Sequence, residues 1–283
     1  MTKRQTRKGS SKHSSSAKAS AGKSNVVSIA DPQPLPTSTR EAQFAARELI
    51  YDAWETPEWK KRVSMAREAL KLWPDCADAW NLLAEGGATP EEKLAAYEQA
   101  TAAGERALGA QALRDDAGYF WGLVETRPYM RARASLAQTL ERARRYDEAI
   151  AHYHELLRLN PSDNQGIRYL LLHALIADDR DDDAWTYVNE SPTEIMAIWL
   201  YPKALLAFRR GGHTPETDRL LREAIGRNRF VPDYLLGRKR TPRTLPDYIG
   251  MGDENEAAAF VFEYALIWRK TPGTTEWLKK VTD

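Results

Sequence analysis

One stretch constrains this chain more than anything else in it. Between Met130 and Asp163, small and apolar residues fall at helical spacing twice over, with a polar turn between them. Leu136 and Ala137 lie on the first predicted helix, and Arg144-Arg145-Tyr146-Asp147 makes the turn. Ala149, Tyr153 and Leu156, spaced by four and three, share one face of the second helix. Asn160-Pro161 stops that helix, because proline lacks an amide hydrogen and clashes with the preceding turn. Ala149 belongs where the two helices cross, since a larger side chain would push them apart. A hairpin of this size cannot bury its apolar face alone, so it predicts further hairpins stacked on it.

The neighbours are present but less regular. Ala69 and Pro74 close one unit, Trp80, Leu83 and Ala84 open the next, and Lys93, Tyr97 and Ala100 continue it after a shortened turn. Ile167, Leu170 and Leu171 start another, with Ala184 and Val188 on its second helix. Residues 192–210 and 215–227 read as a degenerate pair. A last helix is expected from Asp253-Glu254-Asn255-Glu256, whose acids suit a helix N-terminus, to Thr271-Pro272-Gly273. Units of about 34 residues built as helix–turn–helix are those of tetratricopeptide repeats. Pro74 and Pro161 are 87 positions apart, which is not a multiple of that period, so an insertion within 104–129 is expected. Gly118-Tyr119-Phe120-Trp121-Gly122 lies there, either as a hydrophobic plug between units or as a ligand-facing loop. Alternating β-branched runs are missing. The fold expected is therefore all-α: a tetratricopeptide-like αα-hairpin solenoid of about five hairpins over residues 40–283.

Residues 1–39 are expected to be a disordered basic tail. They carry Lys3, Arg4, Arg7, Lys8, Lys12, Lys18 and Lys23 against one acid, Asp31, and the run Asp31-Pro32-Gln33-Pro34-Leu35-Pro36 blocks helix and sheet. The net charge of +1 thus averages this tail with a mildly acidic body. Loose attraction to nucleic acid through residues 1–39 is the partner such a tail permits, although it has no aromatic residue for base stacking. The lone cysteine, Cys76, excludes an internal disulfide and a cysteine-rich zinc site, and fits a reducing compartment. No run of some 18 apolar residues exists, and the N-terminus has no apolar secretory core, so no membrane insertion and a cytoplasmic location are expected.

Several segments resemble one family. Pro74-Asp75-Cys76-Ala77-Asp78-Ala79-Trp80 and Asn160-Pro161-Ser162-Asp163-Asn164-Gln165-Gly166 are similar to runs in the suppressor of tumorigenicity seven family and related bacterial tetratricopeptide proteins. So are Val231-Pro232-Asp233-Tyr234-Leu235-Leu236, Gly252-Asp253-Glu254 and Trp268. The likeness covers roughly residues 50–280. It implies a helical-repeat scaffold without a catalytic site. Eukaryotic members carry membrane-spanning segments near the N-terminus, where this chain has its basic tail instead.

Motifs that carry chemistry are weak. Gly22-Lys23-Ser24, five residues after Ala17, matches a loose phosphate-binding loop but has no strand before it or helix after it. His152 and His154 are two apart on a helix and point in opposed directions, so they cannot share an ion. His173 reads as a helix-face residue, His13 lies in the tail and His213 in a Gly-rich turn. The acids of 178–183 lack the glycine a calcium loop needs and suit a helix N-terminus. Cys76 has no nameable base. No catalytic residue, metal or cofactor is expected.

The function expected is a non-catalytic interaction module. The first helix of each tetratricopeptide unit lines a concave groove, and the positions mapped onto it are Asn81, Arg131, Gln138, Gln165, Arg168 and Tyr169. Arginine with Asn/Gln there suits the carboxylates and backbone of an extended peptide or partner protein. Two other readings stand beside it. One is a nucleic-acid-associated protein using the tail and the Arg238, Lys239, Arg240, Arg243 cluster. The other is an unrecognised enzyme with a pocket in the Tyr/Trp/Arg-rich 118–133 segment.

Overall fold

The computed structural model describes residues 40–191 and 193–283. The expected tail, with His13 and the Gly22-Lys23-Ser24 motif, lies outside the described residues. Within them the chain is all-helical: thirteen α-helices, two short 3-10 turns and no strand. The helices are α1 (Arg40–Glu55), α2 (Trp59–Leu72), α3 (Ala77–Glu85), α4 (Pro90–Asp115), α5 (Arg127–Arg142), α6 (Tyr146–Leu159), α7 (Ile167–Ala177), α8 (Asp181–Asn189), α9 (Ala197–Gly211), α10 (Pro215–Arg227), α11 (Val231–Leu235), α12 (Glu254–Lys270) and α13 (Thr274–Thr282). None of them is long and apolar enough to cross a membrane.

Local chemistry explains where helices begin. Thr89 accepts the Glu92 amide while Glu92 returns a carboxylate to the Thr89 amide, and Pro90 takes the first position, where no amide hydrogen is needed. Thr214 and Pro215 repeat that arrangement for α10. Asp253 accepts the Glu256 amide to open α12, as its acids led one to expect.

Helices adjacent in sequence pack on each other, α1 on α2, α3 on α4, α5 on α6, α7 on α8 and α9 on α10. Alternate helices also touch: α3 meets α5, and α5 meets α7. The α5–α6 and α7–α8 turns have the same geometry thirty-five positions apart. Arg144 and Asp179 are both left-handed, with φ of 61° and 56°. The Arg145 amide bonds the Leu140 carbonyl as the Arg180 amide bonds that of Leu175. Arg145 pairs with Glu148 as Arg180 pairs with Asp183. Ala149, the small residue expected at the helix crossing, and Ala184, thirty-five positions on, are both fully buried.

Residues 104–129, where an insertion was expected, hold the C-terminal part of α4 and the two turns after it. This helix runs to Asp115 but breaks at Gly109 (φ 77°, ψ 156°), a left-handed position that glycine takes without the clash a Cβ would bring. Two 3-10 turns, Phe120–Gly122 and Val124–Thr126, then lead into α5.

The C-terminal end departs from the expectation of a last helix stopping at Thr271-Pro272-Gly273. The chain turns there and forms α13. Trp277 stacks on both Trp268 and Phe208, and burying these rings holds α13 against α12 and α9. Meanwhile α12 returns to touch α7 and α9. The core accordingly falls into two clusters. A smaller one joins α1–α3 to Ala100, Ala103 and Ala132. A larger one runs from Phe120 to Leu278.

Candidate partner-binding face

The expected groove residues lie on or just before α3, α5 and α7, the alternate helices in contact. Asn81 donates to Asp78 Oδ1 and to the Pro128 carbonyl, each at 3.3 Å. Arg131 grips the same Asp78 with two bonds, of 3.1 and 2.6 Å. Gln165 reaches the Met130 carbonyl at 3.4 Å. Gln138 is half-buried on α5, seven positions beyond Arg131 and so on the same face. Arg168 is tied on three sides: to Glu194 (3.1 Å), to Asp163 (2.9 Å) and to the Tyr169 hydroxyl (2.5 Å). Asp163 in turn accepts the Ile167 and Arg168 amides that open α7.

Electrostatics fix this face in place. Burial works against the charge of Glu194, but the Met196 and Ile195 amides, the Tyr169 hydroxyl and Arg168 outweigh it and hold its carboxyl below the usual range. Burial and the nearby Glu194 charge push the Tyr169 hydroxyl up to about 12, so it stays a donor. Arg131 and Arg168 are thus oriented donors already paired to acids of the chain, and not free charges. Such pairing costs flexibility in advance and leaves the remaining N–H groups aimed.

Beside the α3–α5 end of this face lies a cavity of about 350 Å³. Its walls come from α1 (Ile50, Trp54), from Trp73 and Cys76, and from Pro128 and Tyr129 of α5. Arg131 stacks over Trp54, and Arg47 over Trp73. Burial pushes the Cys76 thiol up to about 12, which makes it a poor nucleophile. The 118–133 segment divides its work. Phe120 is buried edge-on to Tyr129, Tyr119 is exposed, and Val124, Glu125 and Arg127 border the cavity. Residues 124–131 of this border fall in the segment named for a pocket, whereas the α1 and Trp73 walls fall outside it, because long-range packing sets their approach.

The remaining titratable groups have structural surroundings. His173 is not on an open helix face: it bonds Glu141, which also accepts from the Tyr153 hydroxyl at 2.7 Å, and its ring meets Tyr264 edge-on at 5.0 Å. No sequence signal announced this group, which assembles from α5, α6, α7 and α12. His152 is half-buried and His154 exposed. Burial and the Arg133 charge lower His152 to about 4. The acids at the start of α8 are spent on Arg180, Arg209 and Arg210. In the basic C-terminal cluster, Arg238 pairs with Asp233 and Asp283, and Lys239 with Glu254.

No family model matches the chain. It is similar to a suppressor of tumorigenicity 7 protein-like from Gallus gallus, at 26% identity over 89% of this chain and 49% of that protein. The chain spans about half the length of this curated relative. The match supports a distant relationship to the suppressor of tumorigenicity seven proteins.

Proposed function

We propose that the chain is a tetratricopeptide-like scaffold that holds an extended peptide or partner protein on the face formed by α3, α5 and α7, and that it performs no catalysis. The observation that carries this reading is the stacking of alternate helices, with two like turns 35 positions apart, close to the tetratricopeptide period of about 34 residues. On this reading α3, α5 and α7 are successive first helices, which carry Asn81, Arg131, Gln138, Arg168 and Tyr169, with Gln165 just before α7. Amide and guanidinium donors in such a row match the carbonyls and carboxylates of an extended chain. The lone cysteine supports a cytoplasmic setting. Affinity capture from the native host tests the reading, with the wild type beside an Arg131→Ala, Arg168→Ala double variant whose helicity and melting are checked first. Loss of partners by a folded double variant is the expected result. Retention of every wild-type partner would show that the face is not the binding surface.

A further inference from the structure

The cavity beside α1 has a chemistry of its own. Its acids Asp75 and Asp78 are neutralised by Arg106 and Arg131. Arg47 and Arg127 also line it, and among the described residues neither has an acidic partner. Each guanidinium instead lies on an indole: Arg47 on Trp73 at 5.3 Å and Arg127 on Trp121 at 5.2 Å. Arg127 Nε bonds the Trp121 carbonyl, which leaves its terminal nitrogens unused. Stacking fixes a guanidinium while its in-plane N–H groups stay available, which is the arrangement that grips a carboxylate with two parallel bonds. One acid, Glu125, remains at the rim against these two cations. The rest of the wall is apolar and aromatic: Ile50, Trp54, Trp73, Leu108 and Tyr129.

We propose that this cavity takes the C-terminal residue of a partner polypeptide, its apolar side chain against Trp54, Trp73 and Tyr129 and its carboxylate on Arg47 and Arg127. This rests on the partner-binding reading above and names the part of the partner that is held. A chain terminus puts a carboxylate one carbon from a side chain, as a single space of about 350 Å³ lined by both cations and aromatics requires. A peptide is favoured over a free organic acid by the surface flanking the cavity. On α1, Phe44, Tyr51 and Trp54 remain 65%, 50% and 41% exposed. With Arg47 they are spaced three, four and three, so they form one stripe along the helix. Exposed Tyr, Trp and Arg in one patch are the residues that dominate protein–protein contacts, and a small acid would leave most of the stripe uncovered.

The test is fluorescence polarisation with fluorescein-labelled Gly-Ser octapeptides ending in Leu, Phe or Trp. Each is made with a free C-terminal carboxylate and as the amide. At least one free-acid peptide should bind tenfold or more tightly than its amide. Arg47→Met and Arg127→Met should each bring that ratio towards one. Ala107→Trp, at an exposed lining position, should block binding while the melting temperature holds. Equal binding of acid and amide, or no binding by any peptide, would overturn the proposal. So would competition by 3-phenylpropionic acid at the affinity of the best peptide. If the peptides fail while Arg131→Ala, Arg168→Ala still loses its captured partners, this inference falls and the broader reading stands.

Discussion

His173 shows how one buried side chain couples stability to pH. Burial alone would lower its pKa, but the hydrogen bond and charge of Glu141, with Glu263 adding to them, raise it above the ordinary 6.5. Tyr153 and Tyr264 also face this group, and burial raises both hydroxyls, so neither ionises in the working range. A histidine whose folded pKa is raised contributes stability that is fully present below the unfolded value. That stability is lost as pH rises through the folded value. The melting temperature of wild type should therefore exceed that of His173→Gln most at pH 6, and the lead should shrink by pH 8.5. A pH-independent gap between the two would mean that the histidine is not charged in the fold.

At the scale of elements, close approach decides more than propensity. A Cβ on Gly104 would fall 2.8 Å from Tyr129 Cβ and 3.1 Å from its Cα, so α4 and α5 touch backbone to backbone there. Ala at an unhindered helix position gains about 1 kcal/mol over Gly. Here the α5 backbone cannot yield, and overpacking of this kind costs roughly 1–3 kcal/mol. Gly104→Ala should lower unfolding free energy in urea by about 1 kcal/mol net, a sign opposite to propensity. The same contrast explains what could be read from the sequence. The 130–163 hairpin was legible because its spacing, turn and stop all lie within one unit. The helical spacing put Asn81 on α3, Arg131 and Gln138 on α5, and Arg168 and Tyr169 on α7, but their acidic partners were not legible, since Asp78–Arg131 joins α3 to α5 and Glu194–Arg168 joins the segment between α8 and α9 to α7. Helix α13 was hidden because Pro272-Gly273 stops a helix locally, whereas the stacking of Trp277 on Trp268 that restarts one is tertiary. The α1 wall of the cavity had no local signature, because nothing near Arg47 or Trp54 foretells their meeting with residues 124–131.

For the whole molecule, Glu256 is the joint of the C-terminal half. It is buried, and from α12 its carboxylate accepts the Ala197 amide at the start of α9, the Asn228 side chain after α10, and the Gly252 amide. Glu256→Ala leaves three donors without their acceptor, each costing about 1 kcal/mol or more. It should destabilise the protein by about 3 kcal/mol, read as a lower urea midpoint. An unchanged midpoint would mean that these bonds do not carry the joint. The return of α12 to α7 and α9 has a temporal consequence as well. A ribosome makes the chain from the N-terminus, and some 40 residues separate the end of α9 from the start of α12. At roughly 5–20 residues per second, α7 and α9 emerge several seconds before the helix that covers them. The hairpins up to α6 can settle as they are synthesised, whereas Tyr201, whose ring packs on Phe260 and Trp268, waits for its partners. In the newborn chain, this seam is where a chaperone would find apolar surface to hold.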